Sequence, residues 1–554
     1  LRVESSELRV RSKSYNNFKQ AFLAPVFVWL SCIMLRRKGI HFYLVIALLA
    51  VYIINGLIAI PGNSVTFDEM DHWSYGKRIL MMKPQKIYPY DDASAMPVSG
   101  LNALPRAAEQ LLSPGLMKTD GGFSDIIHGR YVTFILCLLT GLLIYRWSKE
   151  MFGETAGLFS LFLFVFCPNL NGHGTLLTTD AYTALLTIAN VYFFWRFVKY
   201  SGWKNFIAFS ISLGLAQITK QTLLHLFIIF FIASLFLLVW RKTLVTHFKI
   251  NLLRAFAATG IVLFIINAGF FFNGTGRSLA EYNLNSKPLL KLGSSFVKNI
   301  PLPLPVPFIE GVDMTLHMNE LGAGHPQVSK KNYLLGEKKE RRGFRNYYAV
   351  VFFYKTPLSV MLCLAILLFL LIKKRNQLLH YKIILLLVAM AVYFTAMFSF
   401  LSNSQVGIRH IIFIYPLFYV ALGAVLLYKA MKYFLPLLII YSLFTYYKFF
   451  PNLISYHNEL VASKNVYRIM ADSNVDYGQS YFRYQKFRQR NPEYKLPGRT
   501  PGAGKFIVGV DDYLDTGDKH KFDWLGNNFK PTGHFDHCYL LFDISPGDLK
   551  QLKN

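Results

Sequence analysis

The chain has 554 residues, of which 53% are apolar, 16% aromatic and only 16% charged. A soluble chain carries roughly 25% charged residues, and a single soluble core stops growing near ~250–300 residues. The composition therefore excludes a disordered chain, a small disulfide-stapled domain and a soluble enzyme, and selects a multi-pass membrane protein. The net charge of +28 collects in short loops between apolar runs, so it reads as membrane topology and headgroup attraction, with no nucleic-acid partner.

In chain order, Leu1-Arg2-Val3 returns as Leu8-Arg9-Val10 with no initiating Met, and residues 1–16 are set outside the fold. A helix needs ~20 apolar residues to cross ~30 Å of hydrocarbon. The runs that qualify are 42–60, 131–147, 156–170, 181–198, 205–218, 223–240, 252–272, 357–372, 383–401, 411–428 and 433–450. Residues 21–35 are either a twelfth span or an interfacial helix. Starting from Arg36-Arg37-Lys38 as a cytoplasmic anchor, alternation puts the basic loops inside (Arg196, Lys199 and Lys204; Arg241, Lys242 and Lys249; Lys373, Lys374 and Arg375). Three large polar segments then fall outside: 61–130, 273–356 and 451–554. The expected organisation is a transmembrane domain over 17–450, its outer loop 61–130 carrying the chemistry, and an extracytoplasmic C-terminal region over 451–554. In that region the runs 505–510 and 538–542 predict strands of a small α/β appendage. Cys32, Cys137, Cys167 and Cys363 lie in apolar runs, Cys538 is alone in the tail, and no Cys/His spacing suggests zinc.

Three groups of residues have chemical potential. Asp68-Glu69, with Asp71 and His72 behind them, follow the first span; a carboxylate there is either a general base or a helix cap. His173, Thr178, Thr179 and Asp180 join two later spans, where Thr or Asp also makes an ordinary helix start. Arg130, Lys220 and Arg409-His410 stand at outer ends of spans, against the positive-inside trend. Ionisable groups at membrane depth are costly. These cations either bind phosphate oxygens, snorkel to headgroups, or pair with Asp68 or Asp180. Acids, a histidine and cations from distant loops all meet one membrane face, which suits a reaction on a phospholipid-linked substrate.

The ordered motifs Asp68-Glu69, Pro168-Asn-Leu-Asn-Gly-His173 through Asp180, Gly214-Leu-Ala-Gln-Ile-Thr-Lys220, Glu310-Gly311, Lys355-Thr-Pro357, Gly407-Ile-Arg409-His410 and Asp472 through Gln479 carry a resemblance. Together they resemble the GT-C membrane glycosyltransferases, specifically the dolichyl-phosphate-mannose–protein mannosyltransferases and their bacterial relatives, glycosyltransferase family 39. One departure is Tyr477, where relatives usually have Trp. The resemblance implies an all-α polytopic GT-C fold of about 11–12 transmembrane helices. It implies transfer of a mannose-like sugar, with inversion, from a polyprenyl-phosphate donor to a hydroxyl on a protein, glycan or lipid acceptor. The reaction would occur on the extracytoplasmic face of the cell (inner or plasma) membrane. By position, Asp68 is the base and Glu69 its helper. Lys220 and Arg409, with Arg130 and His410, meet the donor phosphate, and His173 and Asp180 line the donor site. The leaving phosphate is already charged, and neither a DxD triplet nor a Gly-rich phosphate loop is present. No metal is therefore assigned, although a divalent ion near Asp68 and Glu69 stays open. Two rivals are a secondary transporter, which would show inverted repeats with midplane polar residues, and a non-catalytic lipid- or sugar-binding protein, which would not need Asp68.

Overall fold

The computed structural model describes residues 39–112, 123–240, 248–322, 324–325, 328–329, 331–373, 380–517 and 519–550. The expectations for 1–16 and 21–35 lie outside the described residues. The chain divides into two compact units, 1–50 and 51–554. The described part of the first unit is mostly the opening of helix α1 (Ile40–Gly62); everything below concerns the second.

Helices stand at every apolar run. After α1 come two helices of the segment 61–130, α2 (Glu69–Leu80) and α3 (Ser99–Leu112). The next five are α4 (Phe123–Phe152), α5 (Glu154–Val165), α6 (Pro168–Gly174), α7 (Asp180–Tyr200) and α8 (Trp203–Gln217). They are followed by α9 (His225–Trp240), α10 (Phe248–Gly269) and α11 (Val306–Leu321). The last apolar helices are α12 (Tyr347–Lys355), α13 (Leu358–Lys373), α14 (Tyr381–Leu401), α15 (Ile414–Leu422) and α16 (Met431–Phe449).

By length and composition, four described helices can cross a membrane alone: Ile40–Gly62, Ile126–Phe152, Lys249–Gly269 and Tyr381–Leu401; bent pairs raise the number to six. The sequence reading expects more because it scores apolar runs, whereas proline divides the run 156–170 and sets a sharp bend at the start of the run 357–372. The residue before proline disfavours helical backbone. Cys167 is extended before Pro168, and its sulfur accepts from Leu170 N. There α5 and α6 meet at 61°. Thr356 is likewise extended before Pro357, and α12 turns 115° into α13. Helix α8, at 15 residues, is about 22 Å long at ~1.5 Å per residue, short of ~30 Å of hydrocarbon.

The packing centres on α4, which touches α3, α5, α7 and α15. Its buried face carries Phe134, Cys137, Leu138, Ile144 and Trp147. This fixed helix presents Arg130 toward the end of α1 and the loop after it.

After α16 the chain runs through three short 3-10 turns (Leu453–Ser455, Ser463–Arg468 and Asp472–Asn474) into helix α17 (Tyr481–Arg490). A four-stranded sheet follows in the order Tyr494–Lys495, Gly504–Gly509, Tyr539–Ile544, Gly533–Phe535; the first pair is parallel and the others antiparallel. The two runs expected as strands pair with each other, with Phe506 opposite Phe542 and Val508 opposite Leu540. Their alternate residues join Val466, Met470, Val475, Leu525 and Cys538 in a buried cluster. This C-terminal part clasps the segment that follows α1. Ser64 N donates to Gln479 O at 2.9 Å, and Phe67 N donates to Tyr477 O at 3.3 Å. Phe482 N reaches Ser64 Oγ at 2.7 Å and Arg483 Nη1 reaches Gly62 O at 2.8 Å.

Candidate active site

Two adjacent acids at the start of α2 have opposite environments. Glu69 and Arg130 are both fully buried and form a forked pair: Arg130 Nε donates to Glu69 Oε1 at 2.7 Å and Nη2 to Oε2 at 2.6 Å. Glu69 Oε2 also accepts from the Thr66 amide at 2.8 Å and hydroxyl at 3.0 Å, and Oε1 from the Leu177 amide at 2.7 Å. Arg130 further donates to the carbonyls of Ile60, Asn63 and Ser64. Burial pushes the Glu69 carboxyl up, but Arg130 and the two amides hold it below its ordinary value. The pair ties the loop after α1 to α4 and to the loop before α7. Both side chains are committed to this structure, so Arg130 meets Glu69 here, whereas the sequence reading grouped it with the donor phosphate.

Asp68 is 34% exposed. It occupies the N-cap position of α2, yet its carboxylate makes no capping bond. Instead Arg409 Nη1 donates to Asp68 Oδ2 at 2.5 Å and to the Tyr477 hydroxyl at 2.5 Å. The guanidinium lies 4.6 Å above the centre of the Tyr477 ring. Burial raises the Asp68 carboxyl, and Arg409 more than offsets it, holding the group at about 2. Arg409 is aimed by the 3-10 turn Ile408–Ile411, whose first amide donates to Asn474 Oδ1 at 2.9 Å. Gly407 before it has φ +142°, and a Cβ there would lie 2.3 Å from Ser473 Oγ, so the approach of these two loops requires glycine.

Asp180 opens α7 and is 2% exposed; it takes the Lys220 ammonium at 2.7 Å. His173 Nδ1 stands 3.9 Å from Asp180 Oδ2 and its ring 6.4 Å from that of Tyr477. His72, one turn along α2, faces Asp68, Asp180, Lys220 and Arg409; burial first, and the two cations with it, push it down to about 4. His410 Nδ1 meets the Tyr348 hydroxyl at 3.1 Å, and burial followed by Arg409 and Lys220 pushes it down to about 3. The fold thus draws residues 68–72, 173–180, 220, 409–410 and 477 together. Two polar atoms in this cluster, Arg409 Nε and His173 Nδ1, are buried and hydrogen-bond to no described residue.

A divalent ion at Asp68 and Glu69 would have to displace Arg409 and Arg130, so these two acids do not fit a cation site. Among the described residues, the group with ligand atoms close enough for an ion is Asp515, His520 and Asp523, in the tail. Sequence reasoning did not give a role to Tyr477, although the aromatic departure within its motif was a signal. Nor did it give one to Lys355, whose buried ammonium donates to Ile454 O and Asn474 O, both at 2.6 Å. It also did not identify the Leu177 amide, since a backbone donor carries no residue-type signature.

A family model described as dolichyl-phosphate-mannose-protein mannosyltransferase matches residues 122–268. The matched stretch includes Arg130, His173, Asp180 and Lys220; Asp68, Glu69 and Arg409 lie outside it. Two solved structures similar to the chain are those of ArnT from Cupriavidus metallidurans. The form bound to undecaprenyl phosphate has 13% identity over 90% of this chain and 97% of that one, with a TM-score of 0.29. The apo form has 12% identity over the same shares, with a TM-score of 0.28. No curated protein matches the sequence. By its long apolar helices the chain is a multi-pass membrane protein, and its stretch from α4 to α10 is similar to the dolichyl-phosphate-mannose-protein mannosyltransferase family.

Proposed function

We propose that the protein transfers a sugar, mannose-like, from a polyprenyl-phosphate donor to a hydroxyl on a protein, glycan or lipid acceptor, with inversion, at the extracytoplasmic face of the cell membrane. The observation that carries this reading is Arg409. Its Nη1 serves Asp68 and Tyr477, while its buried Nε–H is without an acceptor among the described residues. Such a donor, beside the Lys220 ammonium and a partly open carboxylate, suits a phosphate oxygen.

Asp68 accepts the proton of the acceptor hydroxyl, and the hydroxyl oxygen forms a bond to the anomeric carbon. The bond from that carbon to the phosphate oxygen breaks on the opposite side, and its electron pair leaves with the lipid phosphate. Arg409 and Lys220 stabilise the charge that grows on that oxygen. Asp180 holds Lys220, and Glu69 with Arg130 fixes the loop from which Asp68 projects.

The test is Asp68→Asn in the full chain, in lipid nanodiscs, with a panel of radiolabelled polyprenyl-phosphate hexoses. Loss of a general base costs ~10²–10⁴ in rate. Donor affinity should change far less, because the interaction is made in the transition state. Full transfer per folded molecule in Asp68→Asn would overturn the mechanism. Sugar release with no transfer by the unaltered chain would overturn the reaction class.

A further inference from the structure

Tyr477 is 2% exposed and fixed from every side. Its amide donates to Gln479 Oε1 at 2.6 Å, and its carbonyl accepts from Phe67 N, one residue before the proposed base. Its ring lies against Phe67, with centroids 6.3 Å apart, against His173, and beneath the Arg409 guanidinium. Gly478, at φ +93°, lets this segment pass close to Val65, whose carbonyl would lie 3.2 Å from a Cβ. The Tyr477 hydroxyl accepts from Arg409 Nη1, the same nitrogen that donates to Asp68 Oδ2, so phenol and carboxylate meet at one donor. A phenol can fill both roles, accepting from the cation and donating to the carboxylate.

We propose that Tyr477 is a positioning residue that couples the base to the donor-binding cation, holding Arg409 on Asp68 until a phosphate claims the guanidinium and then turning its O–H to the freed carboxylate as a hydrogen-bond donor. This deepens the reading of the site as a polyprenyl-phosphate glycosyltransferase and rests on it. Before the donor arrives, Asp68 is neutralised by Arg409 and is a poor proton acceptor. A phosphate binding at Arg409 Nε–H competes for the same guanidinium, weakens its hold on Asp68 and raises the basicity of the carboxylate. The phenol O–H prevents the carboxylate from being left without a donor. An indole at this position could donate but could not accept from Arg409, so the coupling belongs to tyrosine.

Other charged groups face Asp68 and enter its titration. Asp71 and His72 lie on its own helix, and Asp180 and Lys220 act across the site through their common neighbours Arg409 and His72. Their contributions are unchanged in Tyr477→Phe, which removes one oxygen and keeps the ring under Arg409.

The experiment compares the unaltered chain, Tyr477→Phe and Tyr477→Trp in nanodiscs. It measures kcat and KM for the donor, the pH profile of kcat, and binding of undecaprenyl phosphate as the phosphate probe. Loss of a hydrogen bond to a charged group predicts a fall in kcat of roughly ten- to a hundred-fold in Tyr477→Phe. The acid limb of the kcat profile should move to higher pH, because the carboxylate has lost a donor. Tyr477→Trp should restore part of kcat, and binding of undecaprenyl phosphate should be stronger in Tyr477→Phe, whose Arg409 is held by one partner fewer. A lower folded yield with an unchanged kcat, pH profile and probe affinity per folded molecule would make Tyr477 merely structural and overturn the coupling. If Asp68→Asn is inactive while Tyr477→Phe behaves as the unaltered chain, the coupling fails alone. If Asp68→Asn is fully active, the underlying reading of the site fails with it.

Discussion

Neighbouring acids at residues 68 and 69 are alike in the sequence and unlike in the fold. Glu69 has five hydrogen bonds from Arg130, Thr66 and Leu177 and no exposure, whereas Asp68 keeps one edge open. Breaking a buried ion pair costs ~3–5 kcal/mol. Glu69→Gln is therefore expected to lower the melting temperature and folded yield in detergent while transfer per folded molecule changes only a few-fold. A fully folded but inactive Glu69→Gln would move the base by one residue. For the cations, Lys220→Met and Arg409→Met should each weaken donor affinity by about ten- to a hundred-fold. Because Lys220→Met also strands the buried Asp180, the double variant with Asp180→Asn should regain stability but not donor affinity; restored affinity would remove Lys220 from the donor site. Titration separates the acids of α2 as well. Asp68, held at about 2 against an ordinary ~3.9, adds stability that is present above about pH 4 and is lost as pH falls through 2. Asp71 is pushed up to about 7, by burial first and then by Asp68, Asp91 and Asp92. Its contribution has the other sign and is lost as pH rises from about 4 through 7. Asp71→Asn should thus flatten the stability profile between about pH 4 and 7 in thermal melts while transfer persists.

At the scale of elements, the site depends on how short turns dock. The turn that aims Arg409 has no long helix behind it; it is held by Gly407, the Asn474 side chain and the Ser473 hydroxyl, which donates to Val406 O. Gly407→Ala must open this contact or strain the backbone, at ~1–3 kcal/mol for an unfavourable conformation. The expected outcome is a donor KM raised at least several-fold with the helical signal in circular dichroism retained; an unchanged KM would show that Arg409 is aimed by other means. The proline breaks act similarly. They end α5 and α12 early, and the short α6 then carries His173 into the cluster. Pro168 and Pro357 were visible in the sequence, but the 61° and 115° bends were not, because proline marks where a helix stops and packing sets the direction in which the chain leaves.

For the whole molecule, the decisive measurement is which side of the membrane the tail occupies. The alternation of basic loops predicts the extracytoplasmic side for 451–554. Cys538, the tail's one cysteine, is fully buried between sheet and turns, so it is a poor handle for a thiol reagent. Lys530 is exposed, and Lys530→Cys supplies an accessible thiol. A membrane-impermeant maleimide should label it in cells with a permeabilised outer barrier and an intact membrane. Labelling only after lysis would reverse the topology and move the site to the cytoplasmic face.

The sequence by itself determined the class of the molecule, its apolar helical segments, the pair of tail strands and the identities of the ionisable residues that converge. Each of these follows from local chemistry: apolar runs, turn residues, alternation, and charges out of place against a membrane pattern. It did not determine which acid is open, since the charged partners that separate Asp68 from Glu69, Arg409 and Arg130, lie more than 60 positions away. Nor did it separate Arg130, committed to Glu69, from Arg409, which retains a free N–H among the described residues. It also could not reveal that the tail returns Tyr477 to the loop after α1. Those distinctions were decided by tertiary structure alone, because the state of a charge is set by what desolvates it and what pairs with it, and both come from chain segments that meet only when the protein folds.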